Sequence, residues 1–243
     1  MKIKTVLFDL DDTLTDTRKL YNIALYKCAD VFNESTGKNL NDKEFRELYL
    51  AARKDFKAVA PNTPTSHNRA VYFQKLIENL DYKVDYNLAY KLYRTYYDEI
   101  YDRMVLFPGT EALLKWIKES GRKIGIVSDG SSHIRLEKIN VLKVGKYLDF
   151  VVSSEEVGVD KPSKQPIMLA LEKADCSAEE SIFIGNKESA DMLAAKHMHI
   201  VSIRVSIVDY AEDTTPEPKD DADFVVKSRA DIKGIIEKVE AAQ

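Results

Sequence analysis

An α/β fold built on a doubly wound parallel sheet and interrupted by an all-helical insertion is predicted by three observations. A short apolar run, Thr5 to Phe8, opens the chain and ends in an acidic cluster. From about Thr17 to Tyr101 there is no convincing strand, and apolar residues recur at three and four positions. After Pro108-Gly109, strand-like and helix-like segments alternate to the end of the chain.

Thr-Val-Leu-Phe at 5–8 is rich in β-formers and too short for a helix, which predicts a buried parallel strand. The helical block reads as four helices, over 20–32, 45–56, 70–80 and 86–101. Beyond it the spacing predicts a helix over 111–119 that stops at Gly121, then a strand over 123–127, a helix over 134–140 and a strand over 150–152. The rest reads as a helix over 166–174, a strand over 181–184, a helix over 189–197, strands over 199–205 and 224–226, and a last helix from about Ala230. Because the helical block interrupts the α/β pattern after its first strand, it is an insertion. The expected division is a core of residues 1–16 and 103–243 around a helical domain of residues 17–102. The acidic, proline-containing stretch 212–223 reads as a solvated surface loop.

Composition narrows the function classes. The 243 residues are 44% hydrophobic and 31% charged, which suits a folded globular chain rather than a disordered one. The net charge of -4, with both signs interspersed, gives no basic footprint for nucleic acid or anionic lipid. No apolar run approaches the roughly 18 residues of a membrane span. Met1 leads straight into a strand-like segment rather than a signal peptide, so a cytoplasmic protein is expected. Cys28 and Cys176 lie far apart and suggest neither a disulfide framework nor a thiolate metal site.

The chemistry concentrates where strands end. Asp9 and Asp11 follow the first strand at a spacing of two, so in extended chain they share a face. Two converging carboxylates at the carboxyl end of a strand are costly unless a cation neutralises them, and that edge is where open α/β sheets bind ligands. Ser128-Asp129-Gly130 closes a later strand with a hydroxyl and a turn able to offer N–H groups to an anion. Lys161-Pro162 precedes a helix, and Gly185-Asn186 ends another strand, with Asp191 five positions beyond Asn186.

In this order the segments Phe8-Asp9-Leu10-Asp11-Asp12-Thr13-Leu14, Val127-Ser128, Lys161-Pro162 and Ile184-Gly185-Asn186 with Asp191 resemble the four motifs of the haloacid dehalogenase superfamily. Phe107-Pro108-Gly109 and Ala222-Asp223-Phe224-Val225-Val226 are similar to further phrases of that family, and the helical insertion resembles its C1 cap. The resemblance implies a Rossmann-like core and phosphoryl transfer through an aspartyl-phosphate. Asp9 would be the nucleophile, a carboxylate needing no base to activate it. Asp11 would act as general acid and base. Ser128, Asp129 and Lys161 would line the phosphate site, and a Mg²⁺ would be held by Asp9, Asp11 through its carbonyl, Asn186 and Asp191.

Asp11 also separates reactions. Family members that cleave carbon–halogen bonds generally lack it, because a halide leaves without a proton, so phosphate esters are favoured over haloacids. Two departures bear on strength of function. Asn186 stands where the family commonly has Asp, which removes one negative charge from the expected metal shell, and Asp191 is expected to compensate. Asp129 stands where Asn is frequent, so its carboxylate must turn away or find a partner, with Arg135 and His133 as candidates.

The expectation is a Mg²⁺-dependent phosphatase of small phosphorylated metabolites, monomeric or homodimeric. The alternatives are a phosphomutase on the same scaffold and a binding or regulatory protein with weakened turnover. In the insertion, Arg18, Tyr21 and the polar stretch 60–69, with His67 and Arg69, are candidates for meeting a substrate's second polar group. Tyr82, Tyr86, Tyr90, Tyr93, Tyr97 and Tyr101 form a stripe at helical spacing that is expected to pack in the insertion's core, with a dimer contact as the alternative. His197 and His199 lack partners at metal-ligand spacing and are expected to be structural.

Overall fold

The computed structural model describes residues 2–80, 83, 85–206 and 221–242. Tyr82 and most of the 212–223 loop lie outside them. Two compact units are present, one made of Met1–Asp16 with Val105–Gln243 and the other of Thr17–Met104.

The first unit holds a six-stranded sheet made of β1 (Thr5–Phe8), β2 (Lys123–Ser128), β3 (Phe150–Ser153), β4 (Ser181–Gly185), β5 (Val201–Val205) and β6 (Phe224–Val226). The spatial order is β3-β2-β1-β4-β5-β6, and every pairing is parallel. β1 is buried throughout because helices flank both faces of such a sheet, hence its uninterrupted apolar run. From β1 the chain winds outward through β2 and β3, then returns to β4 and winds the other way. The switch point therefore lies between β1 and β4, which pair with Phe8 opposite Ile184. That register brings Asp9 beside Gly185 and Asn186, far later in the chain.

Leu7, Val127, Val152, Ile167, Leu171 and Phe183 form the core between the sheet and α7 (Gln165–Ala174). Each such side chain contributes about 1.5–3 kcal/mol by leaving water. α5 (Thr110–Glu119) and α6 (Ser132–Val141) match their predicted spans to within two residues at either end.

The segment predicted as a single helix over 189–197 is split. A π-helical turn, Glu188–Met192, precedes α8 (Leu193–His197). β5 starts at Val201 rather than His199, because His199 takes a left-handed conformation (φ 56°) that no strand accommodates. α9 (Ile232–Ala242) follows a short 3₁₀ turn, Arg229–Asp231, in which the Ser228 hydroxyl accepts the N–H of Ala230.

The second unit contains α1 (Arg18–Thr36), α2 (Asp42–Val59), α3 (Arg69–Glu78) and α4 (Tyr86–Arg103). Gly37 ends α1 in the left-handed conformation, and Asn41 and Glu44 form a capping box on α2. Asn68 and Asp85 cap α3 and α4 through their side-chain oxygens. The core is aromatic, with Phe32, Phe45, Tyr49, Tyr72, Phe73 and Tyr96 buried. Packing is only part of the account of the tyrosine stripe, since Tyr97 is buried while Tyr86 and Tyr90 are exposed. The buried face of α4 runs instead through Leu88, Leu92, Tyr96 and Ile100, one helical step aside.

Candidate active site

Four chain segments meet at the carboxyl edge of the sheet. Asp9 follows β1 directly, and its N–H donates to the Ile184 carbonyl at 2.9 Å, extending the β1–β4 ladder by one residue. The chain then turns. Asp12 sits at φ 60°, its N–H reaches the Thr15 carbonyl at 2.8 Å, and the Thr15 hydroxyl donates to the Val105 carbonyl at 2.6 Å.

Arg229, which no motif in the sequence marks, pins this turn from the far end of the chain. Its Nε donates to the Thr13 carbonyl at 3.0 Å, and its guanidinium lies 3.7 Å from the Phe107 ring centre.

Lys161 is the hub of the charges. Its ammonium donates to Asp9 Oδ1 at 2.8 Å and to the Val127 carbonyl at 2.9 Å, and pairs with Asp191 Oδ1 at 2.7 Å. Burial acts to lower the Lys161 pKa, but Asp191 and Asp9 outweigh it and hold the ammonium protonated. Asp9 shows the opposite balance. Burial pushes its carboxyl up to about 7, with Asp191 adding repulsion and Lys161 pulling it down.

Asp191 is buried and spends its second oxygen on the backbone, accepting the N–H groups of Asn186 at 3.1 Å and Lys187 at 3.0 Å. Gly185 makes this possible, since a Cβ there would lie 2.6 Å from Asp191 Cβ, Cγ and Oδ2. The π-helical turn carries Asp191 into that space.

Asp11 is clamped. Its carboxylate takes the Lys138 ammonium at 2.5 Å on Oδ1 and the Arg135 guanidinium on Oδ2. Both cations come from α6 and are buried. Burial acts to raise Asp11, and Lys138 and Arg135 together outweigh it, so the carboxyl stays ionised far below its usual range. Arg135 also donates to the Ser128 hydroxyl at 3.3 Å, so Ser128, Arg135 and Asp11 form one connected group.

Lys138 was not foreseen. The signal lay in the apolar spacing of α6, since Ile134, Lys138 and Ile139 share its buried side.

Asp129 resolves differently from the two pairings expected for it. Its Oδ1 accepts the backbone N–H of Lys161 at 2.9 Å, while Arg135 is engaged with Asp11 and His133 lies 3.3 Å from Glu137. The carboxylate thus orients the Lys161 segment. The N–H of Gly130, expected among the donors to an anion, goes to the Ser154 hydroxyl at 2.8 Å.

Among the described residues no three His, Cys, Asp or Glu side chains gather as a metal cage. The donors that suit a Mg²⁺ are hard oxygens of mixed kind: the Asp9 carboxylate, the Asp11 carbonyl and Asn186 Oδ1, which lies 3.5 Å from the Thr13 hydroxyl. By chemical type these oxygens suit the ion, with one negative charge fewer than a second carboxylate would supply. Asp191, expected to make up that charge, has both oxygens engaged and serves here as counter-ion to Lys161.

Comparison with known proteins identifies the family. A family profile described as haloacid dehalogenase-like hydrolase matches residues 6–205. A ribulose-1,5-bisphosphate 5-phosphatase of Halopiger xanaduensis is 29% identical over 82% of this chain and 82% of its own length. A glyceraldehyde 3-phosphate phosphatase of Pyrococcus furiosus is 26% identical over 98% of this chain and 94% of its own.

Among solved structures, a phosphatase from Thermococcus onnurineus superposes with a TM-score of 0.70 at 21% identity, covering 96% of this chain and 97% of its own. A structure described as a putative β-phosphoglucomutase from Thermotoga maritima superposes at 0.73 and 21%, covering 97% and 99%. The profile match takes in the whole run from the acidic turn after β1 to the end of β5, and on it the chain belongs to the haloacid dehalogenase-like hydrolases.

Proposed function

We propose that the protein is a Mg²⁺-dependent phosphatase that hydrolyses small-molecule phosphate monoesters through an aspartyl-phosphate on Asp9. The observation that carries the reading is the Asp9–Lys161–Asp191 group at the β1/β4 switch point. Lys161 fixes one oxygen of the Asp9 carboxylate and leaves the other to meet phosphorus.

In the first step Asp9 forms an O–P bond as the bond to the alcohol oxygen breaks. In the second, water attacks phosphorus and restores the carboxylate. A Mg²⁺ would be held by the Asp9 carboxylate, the Asp11 carbonyl and Asn186 Oδ1, and when bound it would supply neutralisation of the negative charge on the phosphoryl group. Lys161 and the Ser128 hydroxyl face the same charge, and phosphoryl transfer depends chiefly on such positioning and electrostatic stabilisation.

Asp11 is the group that protonates the leaving oxygen and later takes a proton from water. In the resting protein it is ionised, so it takes up a proton only when Arg135 and Lys138 slacken. An arriving phosphoryl group supplies the reason to slacken, since it competes for the same two cations. The relatives whose names specify phosphatases of small phosphorylated sugars and trioses support this substrate class.

The double ion pair on Asp11 also favours a second reading, a weakened enzyme that binds phosphate esters without efficient turnover. Phosphate release from a panel of small monoesters with Mg²⁺ titrated into the millimolar range separates the two. Turnover by the parent that vanishes in Asp9→Asn supports the phosphatase. Stabilisation of the fold by esters without phosphate release supports the binding protein, and an isomeric product that keeps its phosphate indicates a mutase.

A further inference from the structure

Glu188 and Arg204 form a buried ion pair that the reaction, as described, leaves unused. Arg204 Nε lies 3.3 Å from Glu188 Oε2, and the two side chains are 8% and 9% exposed. Arg204 stands in β5 opposite Gly185, and Glu188 opens the π-helical turn that follows β4. The other Glu188 oxygen, Oε1, accepts the N–H of Asp221, whose carboxylate takes the Lys196 ammonium of α8 at 2.6 Å. Glu188 is thus tied both to β5 and to the segment leading into β6.

Desolvation offsets most of what a buried ion pair gains, and an apolar pair of similar volume often holds a fold as well, so stability alone does not account for these charges. Their place in the turn does. β4 lies between β1 and β5 in the sheet, and Glu188 reaches from its end toward β5. Three residues later Asp191 reaches the other way, to the Lys161 ammonium beside Asp9 at the end of β1. In an α-helix residues three apart share a face, and are poorly placed to serve partners on opposite sides of one strand. The width of the turn separates them. The N–H of Met192 reaches the Lys187 carbonyl, five residues back, at 3.2 Å, alongside the four-residue bond from Asp191 at 2.9 Å.

The ion pair on one side, and Asp191 with the N–H groups of Asn186 and Lys187 on the other, hold this wide turn between them. Closing it by one residue to α geometry would rotate Asp191 by about 100° away from Lys161. We infer that Glu188 and Arg204 are positioning residues, whose pairing keeps the π-helical turn open so that Asp191 fixes Lys161 against Asp9. Both act through Asp191. The effect on Lys161 stands by itself, and its consequence for turnover rests on the phosphatase reading.

The test follows the Lys161 ammonium in the full chain labelled with ¹⁵N-lysine, where the resonance missing from Lys161→Met is that of Lys161. In the parent it is expected to exchange with water slowly, and exchange as fast as that of exposed lysines overturns the proposal, since Asp191 would then hold nothing. In Glu188→Gln and in the double variant Arg204→Met/Glu188→Met, exchange is expected to be about 10- to 100-fold faster, the loss of a charge-assisted hydrogen bond. The double variant removes one charge of each sign and is expected to keep the parent's urea midpoint, which separates positioning from stability. Exchange at Lys161 unchanged in both variants overturns the proposal. Should the double variant fail to fold, Glu188→Gln, which keeps the shape of the side chain, decides alone.

Turnover then reads the consequence. With ethyl phosphate and saturating Mg²⁺, kcat of the double variant is expected to fall about 10- to 100-fold. A kcat equal to the parent's, with Lys161 exchange accelerated, overturns the role in the reaction. A parent without turnover removes the phosphatase reading alone, because exchange at Lys161 still decides whether the pair positions it.

Discussion

Replacing Gly185 by Ala tests whether the packing of the site is as tight as the structure shows. A methyl group at 185 would stand 2.6 Å from three atoms of Asp191, well inside contact distance, and these belong to a buried side chain rather than a mobile tip. If the π-helical turn yields as a body, the cost is that of overpacking, about 1–3 kcal/mol. If Asp191 swings out instead, the N–H groups of Asn186 and Lys187 lose a charged acceptor and Lys161 loses one of its two carboxylates, which brings the total to roughly 3–6 kcal/mol. At roughly 2–4 °C per kcal/mol for a chain of this size, the low estimate alone lowers Tm by about 2–12 °C.

Trp116, the single tryptophan, lies in α5 of the sheet-containing unit and reports its unfolding by fluorescence in urea. Gly234→Ala is the matched control. Nothing lies within 4 Å of a Cβ there and the residue is inside α9, so Ala is expected to stabilise by about 0.5–1 kcal/mol. Gly185→Ala within about 0.5 kcal/mol of the parent would refute the close approach of Asp191 to β4.

The remaining predictions concern charge. Lys138→Met leaves Asp11 with Arg135 alone in a buried setting and is expected to cost about 3 kcal/mol near neutral pH. Because the Asp11 pKa is lowered in the fold, its stabilisation is present above the unfolded value of about 4 and is lost as pH falls, so the gap between parent and Lys138→Met in urea should close in acid. Asp9 must be ionised to attack and is pushed up to about 7, so kcat/KM at low Mg²⁺ should rise with pH to a midpoint near that value. Added Mg²⁺ favours the ionised form and should move the midpoint to lower pH, and a midpoint indifferent to Mg²⁺ would contradict the assignment. Asn186→Asp restores one negative charge among the metal donors and is expected to lower the half-saturating Mg²⁺ about tenfold, read from phosphate release.

Much of this was legible in the sequence because the relevant signals are local. Thr5 to Phe8 as an unbroken apolar run announces a strand buried on both faces, and a carboxylate pair after it announces a costly site. The order of Ser128, Lys161 and Asn186 along the chain reflects the order in which a doubly wound sheet returns its strand ends to one edge. What stayed hidden depends on contacts between distant segments. Lys138 and Arg229 look like ordinary surface cations in the sequence, and only the packing of α6 and of the turn after β6 makes them buried partners of the turn after β1. The Asp129 carboxylate found a backbone N–H 32 residues away, a partner that no side-chain pattern reveals. The π-helical turn escaped notice because its apolar spacing is that of a helix, and the sole clue was a glycine next to Asn186. In the helical unit the tyrosine stripe of α4 overstated burial, since regular spacing fixes a face without saying which face the neighbouring helices cover.

The phosphoryl group's covalent passage over Asp9 is the central claim, and chemical trapping tests it most directly. During turnover of a good monoester substrate the protein is quenched in acid, reduced with borohydride and mapped by mass spectrometry. An aspartyl-phosphate at residue 9 is expected to appear as homoserine in place of Asp9, and to be missing from Lys161→Ala and from samples without substrate. Phosphate release at full rate with Asp9 unmodified, or a modified carboxylate at Asp11 or Asp191 instead, would contradict it.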